Sequence, residues 1–473
     1  MLTKELSLQQ ESGPTPEAIE QLRSQLRGPL CLPGESGYEQ ARAIWNGMID
    51  RHPAWVVRCT GAADVIAAVN FARKHDLLLS VRGGGHNVAG SAVCDDGLMI
   101  DLSLMRGIYV DPVSKVARVQ PGINWGDLDR ETQPFGLAVP GGIVSATGVA
   151  GLTLGGGFGW LSRKFGLTSD NLISADVVTA DGRFLKASKR ENTDLFWGLC
   201  GGGGNFGVVT SFEFRLQPVG PQVMAGLILY PMEDAPEVLE FYQHFTAQAP
   251  DEVSTLAVLR VAPPAPFLPV EVHGKPVVGL GVCFAGPVEE GQEAVRPLKE
   301  FGSPLVDLVA PKSFLAHQTM LDAASPSGRR YYWKSGYFAG LSDEACKTLV
   351  NHASNLSSPM TAILLFHLGG AISRMDEHES AAGNRDATHV LNIQSAWENP
   401  VETDRHVAWT RDFWTAMQPF STKGVYVNFL SDGEGPERIR AAYPNSYARL
   451  EAIKRKYDPM NMFRMNQNIQ PVP

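Results

Sequence analysis

The sequence predicts an α+β protein of more than one domain, and three observations carry that prediction. A strand–helix–strand pattern between Trp55 and Arg82 delivers three consecutive glycines, Gly83 to Gly85, from its second strand. Glycine, 48 residues in all, is concentrated between positions 83 and 207. Beyond Pro218 the glycine clusters stop, prolines increase and amphipathic helices alternate with strands, which places a boundary near 220. A chain of 473 residues also exceeds what one compact core holds.

Composition narrows the class. A hydrophobic content of 44% with 19% charged residues is that of an ordinary globular enzyme. A net charge of −9 and a pI near 5.7 argue against nucleic acid and against an anionic membrane surface as partners. No stretch approaches the length of a membrane span, and the start, MLTKELSLQQ, lacks the apolar core of a signal peptide. Cysteines 31, 59, 94, 200, 283 and 346 form no CxxC pair and no disulfide framework, so reduced thiols in the cytoplasm are expected. The eleven histidines form no ligand-spaced cluster and HExxH is absent, so no metal site is expected. Residues 202 to 207 spell GxGxxG, but a helical pattern precedes them and a strand follows, the reverse of a dinucleotide fingerprint. No GxxxxGK[ST] occurs.

In chain order, Thr15 caps a short helix with Pro16 at its first position and Ile19, Leu22 and Leu26 on one face. Trp55 to Cys59 reads as a strand and Ala62 to His75 as a helix with Val65, Val69 and Ala72 inward. A further strand covers Leu98 to Ser103, a hairpin turns at Asp111-Pro112, and a helix spans Asn124 to Gln133. The glycine spacing of 139–171 suits turns and short helical pieces. A second hairpin turns at Asp181-Gly182, and the strand Val208 to Leu216 follows a third glycine loop. Strands are expected at Val277–Phe284, Met360–Gly370, Val390–Trp397 and Gly424–Leu430, and a closing helix from Tyr447 stops at Asp458-Pro459. The domains read as a helical segment over 1–45, a cofactor domain over 46–220, a substrate domain over 221–430 and a returning segment over 431–473.

The stretch SVRGGGHNVAG, 80–90, carries the chemistry. Glycines 83 to 85 let main-chain N–H groups crowd around an anion, Arg82 adds a charged fork, and His86 follows with a nucleophilic ring nitrogen. A phosphate-bearing cofactor that is also bonded covalently accounts for this grouping. An ordinary strand-to-turn corner with a solvated histidine is the alternative that the residues alone leave open.

Three segments together, RGGGHNVAGS (82–91), GVAGLTLGGGFGWLSRKFGLTSDN (148–171) and GGGGNFGVVTSFEFRL (201–216), resemble the FAD-binding domain of the vanillyl-alcohol-oxidase (PCMH-type FAD-binding) superfamily. The closing YARLEAIKRKYDPMNMFRMNQNI (447–469) is similar to the C-terminal segment of its berberine-bridge-enzyme branch. The resemblance implies a two-subdomain FAD-binding domain plus a substrate domain with an antiparallel sheet covered by helices. It implies that Arg82, Gly83, Gly84, Gly85 and Asn87, with Gly90 and Ser91 just beyond, wrap the FAD pyrophosphate, and that His86 bonds to the flavin 8-methyl carbon. Gly141, Val144, Thr147, Gly148, Gly151, Leu154, Gly155, Gly156, Gly159, Trp160 and Asn171 would lie along the adenosine and ribityl parts. Gly207, Val208 and Val209 would join them, as would Asn466 and Asn468 from the returning tail. Many members carry a cysteine at the position of Val144 that makes a second bond to the flavin. Valine cannot, so one covalent link through His86 is expected. Thr147 falls at the oxygen-gating position and has the size of valine, the type associated with oxygen access.

For the chemistry, the resemblance places Gln394 at the end of a strand near the flavin, where it can hold a substrate by hydrogen bonding but is no effective base. Tyr426 and Asn428, two apart, would share one face of their strand, and the tyrosine would serve as base if its pKa were depressed. His367 is a further candidate base, with a packed core role as its alternative. Aromatic residues at Tyr331-Tyr332-Trp333 and Trp397 hint at a flat or cyclic substrate. The expected activity is an FAD-dependent oxidase taking hydride from a C–O or C–N bond of a small organic substrate and passing the electrons to oxygen as peroxide. A flavin dehydrogenase or tailoring oxidase with another acceptor, or an inactive flavin-binding protein, are the rival readings.

Overall fold

Two sheets, of four and five strands, dominate the first part of the molecule, beside a two-stranded ladder of Leu137–Ala138 with Gln217–Pro218. In the computed structural model, which describes residues 13–266 and 268–471, the first sheet runs Leu30–Cys31, Trp55–Arg58, Leu98–Asp101, Leu79–Arg82. Its last three strands are parallel. The opening residues read against a signal peptide lie outside the described residues. The helix Ala62–Lys74 buries Val65, Val69 and Ala72 against Val57, Leu79 and Ile100 of this sheet, as its spacing predicts. The second sheet is antiparallel, in the order Ile108–Asp111, Val116–Val119, Val208–Arg215, Leu172–Val178, Phe184–Ser188.

The third sheet has eight strands and is wholly antiparallel. Its main path runs Val306–Asp307, Gln222–Pro231, Pro276–Phe284, Val253–Val261, Ala362–His367, His389–Trp397, Arg330–Phe338. Alternation divides its side chains. Leu259, Leu280, Ile363, Leu365, Leu391 and Ile393 pack under the helices Ala235–Gln248, Val288–Glu300, Asp343–Ala353 and Thr403–Met417. The intervening residues face the first part of the molecule. The fold is thus α+β, with two small sheets on one side and a helix-covered antiparallel sheet on the other.

The C-terminal helix Tyr447–Tyr457 returns to the first part, burying Leu450, Ile453 and Tyr457. Behind it, the fully buried Lys454 ammonium donates to Asp458 (2.7 Å) and to the carbonyls of Asn205 (3.0 Å) and Phe463 (2.9 Å). The tail is thereby pinned to the third glycine loop. No helix among the described residues is long and apolar enough to cross a membrane.

One expected strand is not a strand. Residues 424–430 make no ladder, and Val427–Phe429 is a single 3₁₀ turn. The alternating pattern there has another cause: Val425 and Val427 enter one hydrophobic cluster while Tyr426 and Phe429 enter another. The segment is a wedge between two cores, and the Asn428 amide folds back to donate to the Tyr426 hydroxyl at 2.8 Å.

Candidate active site

Between the glycine loops and the uncovered face of the large sheet lies a cavity of 1130 Å³, ample for a dinucleotide and a small substrate. The first wall is backbone. The parallel strand Leu79–Arg82 ends in residues 83–87, and none of those five main-chain N–H groups donates to another main-chain carbonyl. Gly84 lies so close to Gly148 that a Cβ on it would sit 2.4 Å from the Gly148 Cα. The two loops therefore meet backbone to backbone at this pair of glycines. Ser145 ties the second loop to the substrate side, its N–H donating to Asp322 at 2.8 Å and its hydroxyl to the same carboxylate.

His86 lines this wall. Its ring stacks on Trp45 at 4.2 Å, and Trp45 in turn stacks on Tyr331 at 3.8 Å. Its Nε2 is buried without a partner, and burial drives its pKa down to about 4, so the ring is neutral at physiological pH. The same face holds Gly83, Gly85, Asn87, Ser91, Val144, Thr147, Gly151, Leu154, Gly207, Val209 and Asn466. Asn466 donates to the Gly204 carbonyl at 2.9 Å and leaves its Oδ1 buried and unpartnered. Unpaired main-chain donors, glycines in contact and an orphaned imidazole nitrogen fit a bound FAD with its phosphates on the first loop.

The other sequence-predicted cofactor residues stand outside the cavity lining. Arg82 turns its guanidinium away, donating to the Ala41 carbonyl at 2.8 Å with Asp101 at 3.8 Å, so it braces the N-terminal segment. Gly90, at φ +72°, packs against Ile49, Gly141 against the Trp125 ring, and Gly159 against the Gly141 carbonyl. Gly155 backs onto the Asn428 amide, and Gly156 turns at φ +101°. Trp160 leans on His317, 4.5 Å away. Asn171 donates to the Phe165 and Leu167 carbonyls, Val208 lies in the core of the first sheet, and the Asn468 Oδ1 is buried without a partner.

The second wall is made of side chains. Tyr331, Trp333, Leu364, Phe366, Gln394 and Ala396 project from the sheet, with Tyr426, Asn428 and Phe158 closing the angle between the walls. The Tyr426 hydroxyl accepts from the Gly157 N–H at 3.1 Å and from Asn428, and burial pushes its pKa above the usual phenol range. It is a neutral phenol, contrary to the depressed pKa that a base would need. His367 is also corrected. Phe366 lines the cavity, so His367, one residue on, does not. Its Nε2 accepts from Arg163 at 2.9 Å, and burial with the nearby Arg163 charge holds it neutral. Of the four aromatics, Tyr331 and Trp333 reach the cavity, whereas Tyr332 and Trp397 do not. Arg260 and Arg329 also line it, Trp45 stands behind His86, and no local motif marks any of the three. Among the described residues no cluster of His, Cys, Asp and Glu has metal-site geometry.

Comparison with known proteins agrees with this architecture. The FAD binding domain family model matches residues 53–188, and the "berberine and berberine like" model matches 425–470. An FAD-linked oxidoreductase of Dictyostelium discoideum is 31% identical over 98% of this chain and 99% of its own. (R)-6-hydroxynicotine oxidase of Paenarthrobacter nicotinovorans is 31% identical over 94% of this chain and 97% of its own. The crystal structure of 6-hydroxy-D-nicotine oxidase from Arthrobacter nicotinovorans superposes with a TM-score of 0.85 at 27% identity, covering 94% of this chain and 98% of that one. The chain belongs to the PCMH-type FAD-linked oxidoreductases, in the berberine-bridge-like branch.

Proposed function

We propose that this enzyme is an oxidase that takes hydride from a C–O or C–N bond of a small organic substrate and passes the electrons to oxygen, with its flavin tethered once, through His86. One observation carries the tether. The His86 ring is neutral, clamped flat by Trp45, and its nitrogens bond to no other residue among those described. That is the state a nucleophilic imidazole needs. Valine at 144 offers no second attachment, and Thr147 lines the same wall. Relatives named as oxidases, (R)-6-hydroxynicotine oxidase and a chitooligosaccharide oxidase of Gibberella zeae, support oxygen as acceptor. The six unpaired cysteines support a cytoplasmic setting.

FAD supplies the hydride acceptor and the link to oxygen. The chain's own residues position the substrate. Tyr426 accepts two N–H groups and donates to no residue among those described, so its O–H is available to a substrate heteroatom. Gln394 adds a second polar contact from the sheet wall. Leu364, Phe366 and Phe158 exclude water around them.

The test has two parts. Flavin fluorescence is expected to stay with the urea-denatured polypeptide and to be lost from it in His86→Ala. Colour that persists on His86→Ala overturns the tether. Peroxide is expected from a panel of amines, alcohols and oligosaccharides, and reduced flavin that reoxidises only very slowly in air overturns the oxidase reading.

A further inference from the structure

The cavity lining contains no Asp, Glu or Lys, and among the described residues its only charged side chains are Arg260 and Arg329. This is a marked departure in a chain with net charge −9. Arg260 stands on the strand Val253–Val261 and faces the cavity. Its Nε donates to the Val261 carbonyl at 3.1 Å, and no carboxylate among the described residues lies within ion-pair range. Arg329 is scarcely better paired. Its Nη2 is 3.7 Å from Glu398, whose side chain is 69% exposed, and its Nε is buried without a partner. An unpaired guanidinium beside one whose counter-charge is a single exposed carboxylate is costly in a largely apolar cavity, and burial with the Arg329 charge lowers the Arg260 pKa. Such an arrangement persists where a ligand supplies the missing charge.

Position narrows the ligand. Arg260 pairs across the sheet with Ala362, and Ala362 pairs with Gln394, so Arg260 and Gln394 share one cross-strand row two strands apart. That spacing is about 10 Å. A group held at Arg260 therefore belongs to a molecule that also reaches Gln394 and Tyr426, and the intervening wall is apolar and aromatic. The glycine loop that receives the cofactor phosphates lies on a different sheet.

We propose that the substrate is an organic acid of aromatic or cyclic build, its carboxylate held by Arg260 with Arg329 beside it and its oxidised carbon presented toward Gln394, whose backbone lies two strands, about 10 Å, away. This rests on the oxidase reading for the oxidised carbon, but the anion site itself does not.

The experiment uses the flavin-loaded enzyme, with benzoate as probe and benzamide as its neutral counterpart, read by perturbation of the flavin absorbance. Benzoate is expected to bind at least about tenfold more tightly than benzamide, and Arg260→Gln to abolish that difference while Arg260→Lys restores part of it. Arg329→Gln is expected to weaken benzoate to a smaller degree. Flavin content and melting temperature of Arg260→Gln should equal or exceed those of the parent, because an unpaired buried charge is removed. Equal binding of the two probes overturns the proposal. So does a loss of flavin in Arg260→Gln, which would assign Arg260 to the cofactor phosphates, or a fall in melting temperature with benzoate affinity unchanged, which would make it structural. Arg260-dependent benzoate binding with no flavin reduction by any aromatic or cyclic acid would overturn the substrate assignment, whereas reduction by such an acid followed by very slow reoxidation in air would overturn the oxidase reading alone.

Discussion

The two walls of the cavity solve opposite problems. The cofactor wall works by leaving side chains out, so that Gly84 can meet Gly148 and main-chain donors can point into open space. The substrate wall works by adding side chains, one from each of several strands, to a sheet whose other face is sealed by helices. The first wall tolerates no added atom where its loops touch, at Gly84 and Gly148, and the second tolerates no lost functional group. Damage to the first is expected to appear as a failure to fold or to hold flavin, and damage to the second as altered catalysis in an intact holoenzyme.

Gly84→Val gives the largest expected effect. A Cβ 2.4 Å from the Gly148 Cα cannot be accommodated without separating the loops, at a cost of more than about 4 kcal/mol, read as loss of soluble flavin-loaded protein. Gly151→Ala, on the same wall but with no atom within 4 Å of the added Cβ, sharpens the contrast. Its apo-protein should unfold in urea within about 1 kcal/mol of the parent, on the stabilising side.

Lys454→Met comes next. It strands the buried Asp458 carboxylate and releases the tail from the third glycine loop, for about 3–5 kcal/mol in urea denaturation together with weakened flavin retention.

Acidification acts on both walls. On the substrate side His317 and His389 are driven down to about 3, and His367 is pushed far down, all mainly by burial. Each stays neutral when folded but takes up a proton when unfolded below the ordinary value of 6.5, so its contribution is intact above pH 6.5 and lost below it. Asp129 opposes them. Burial raises it to about 8, so folding favours its protonated form and gains as pH falls from 8 toward 3.8. With these histidines and His86 outnumbering the one aspartate, stability should fall between pH 6 and 4.5, by about 1.4 kcal/mol per pH unit for each net proton taken up on unfolding. A melting temperature that holds steady over that range contradicts the neutral histidines. His317→Gln should flatten the slope by about one proton.

The smallest effect is expected from Gln394→Ala. Removing one neutral hydrogen bond to substrate should raise KM roughly five- to tenfold with flavin content and melting temperature unchanged.

The difference between the walls also explains which features are legible in the amino-acid sequence. The loop 82–91 is legible because a glycine run after an apolar strand has few explanations, and the family resemblance then names its ligand. Arg82 misleads within that motif, since adjacency to a loop does not say which way a guanidinium turns. Tyr426 and Asn428 stand out in the sequence, but the alternation that suggests a strand comes from two cores on either side of a turn. His367 falls on the expected strand and on the wrong face for a base. Side-chain direction changes with every residue of a strand, so an error of one position exchanges cavity for core.

By itself, the sequence determined backbone features: where glycines admit close approach, that a histidine follows the first glycine run, and where the glycine clusters give way to alternating strands and helices. These depend on local conformational limits that a residue carries wherever it sits. Only the tertiary structure decided that Trp45 clamps His86, that Arg260 shares a row with Gln394, and that Arg329 stands near it without a full counter-charge. Those relations join residues far apart in the chain through sheet register and burial, and neither is a property of any one segment.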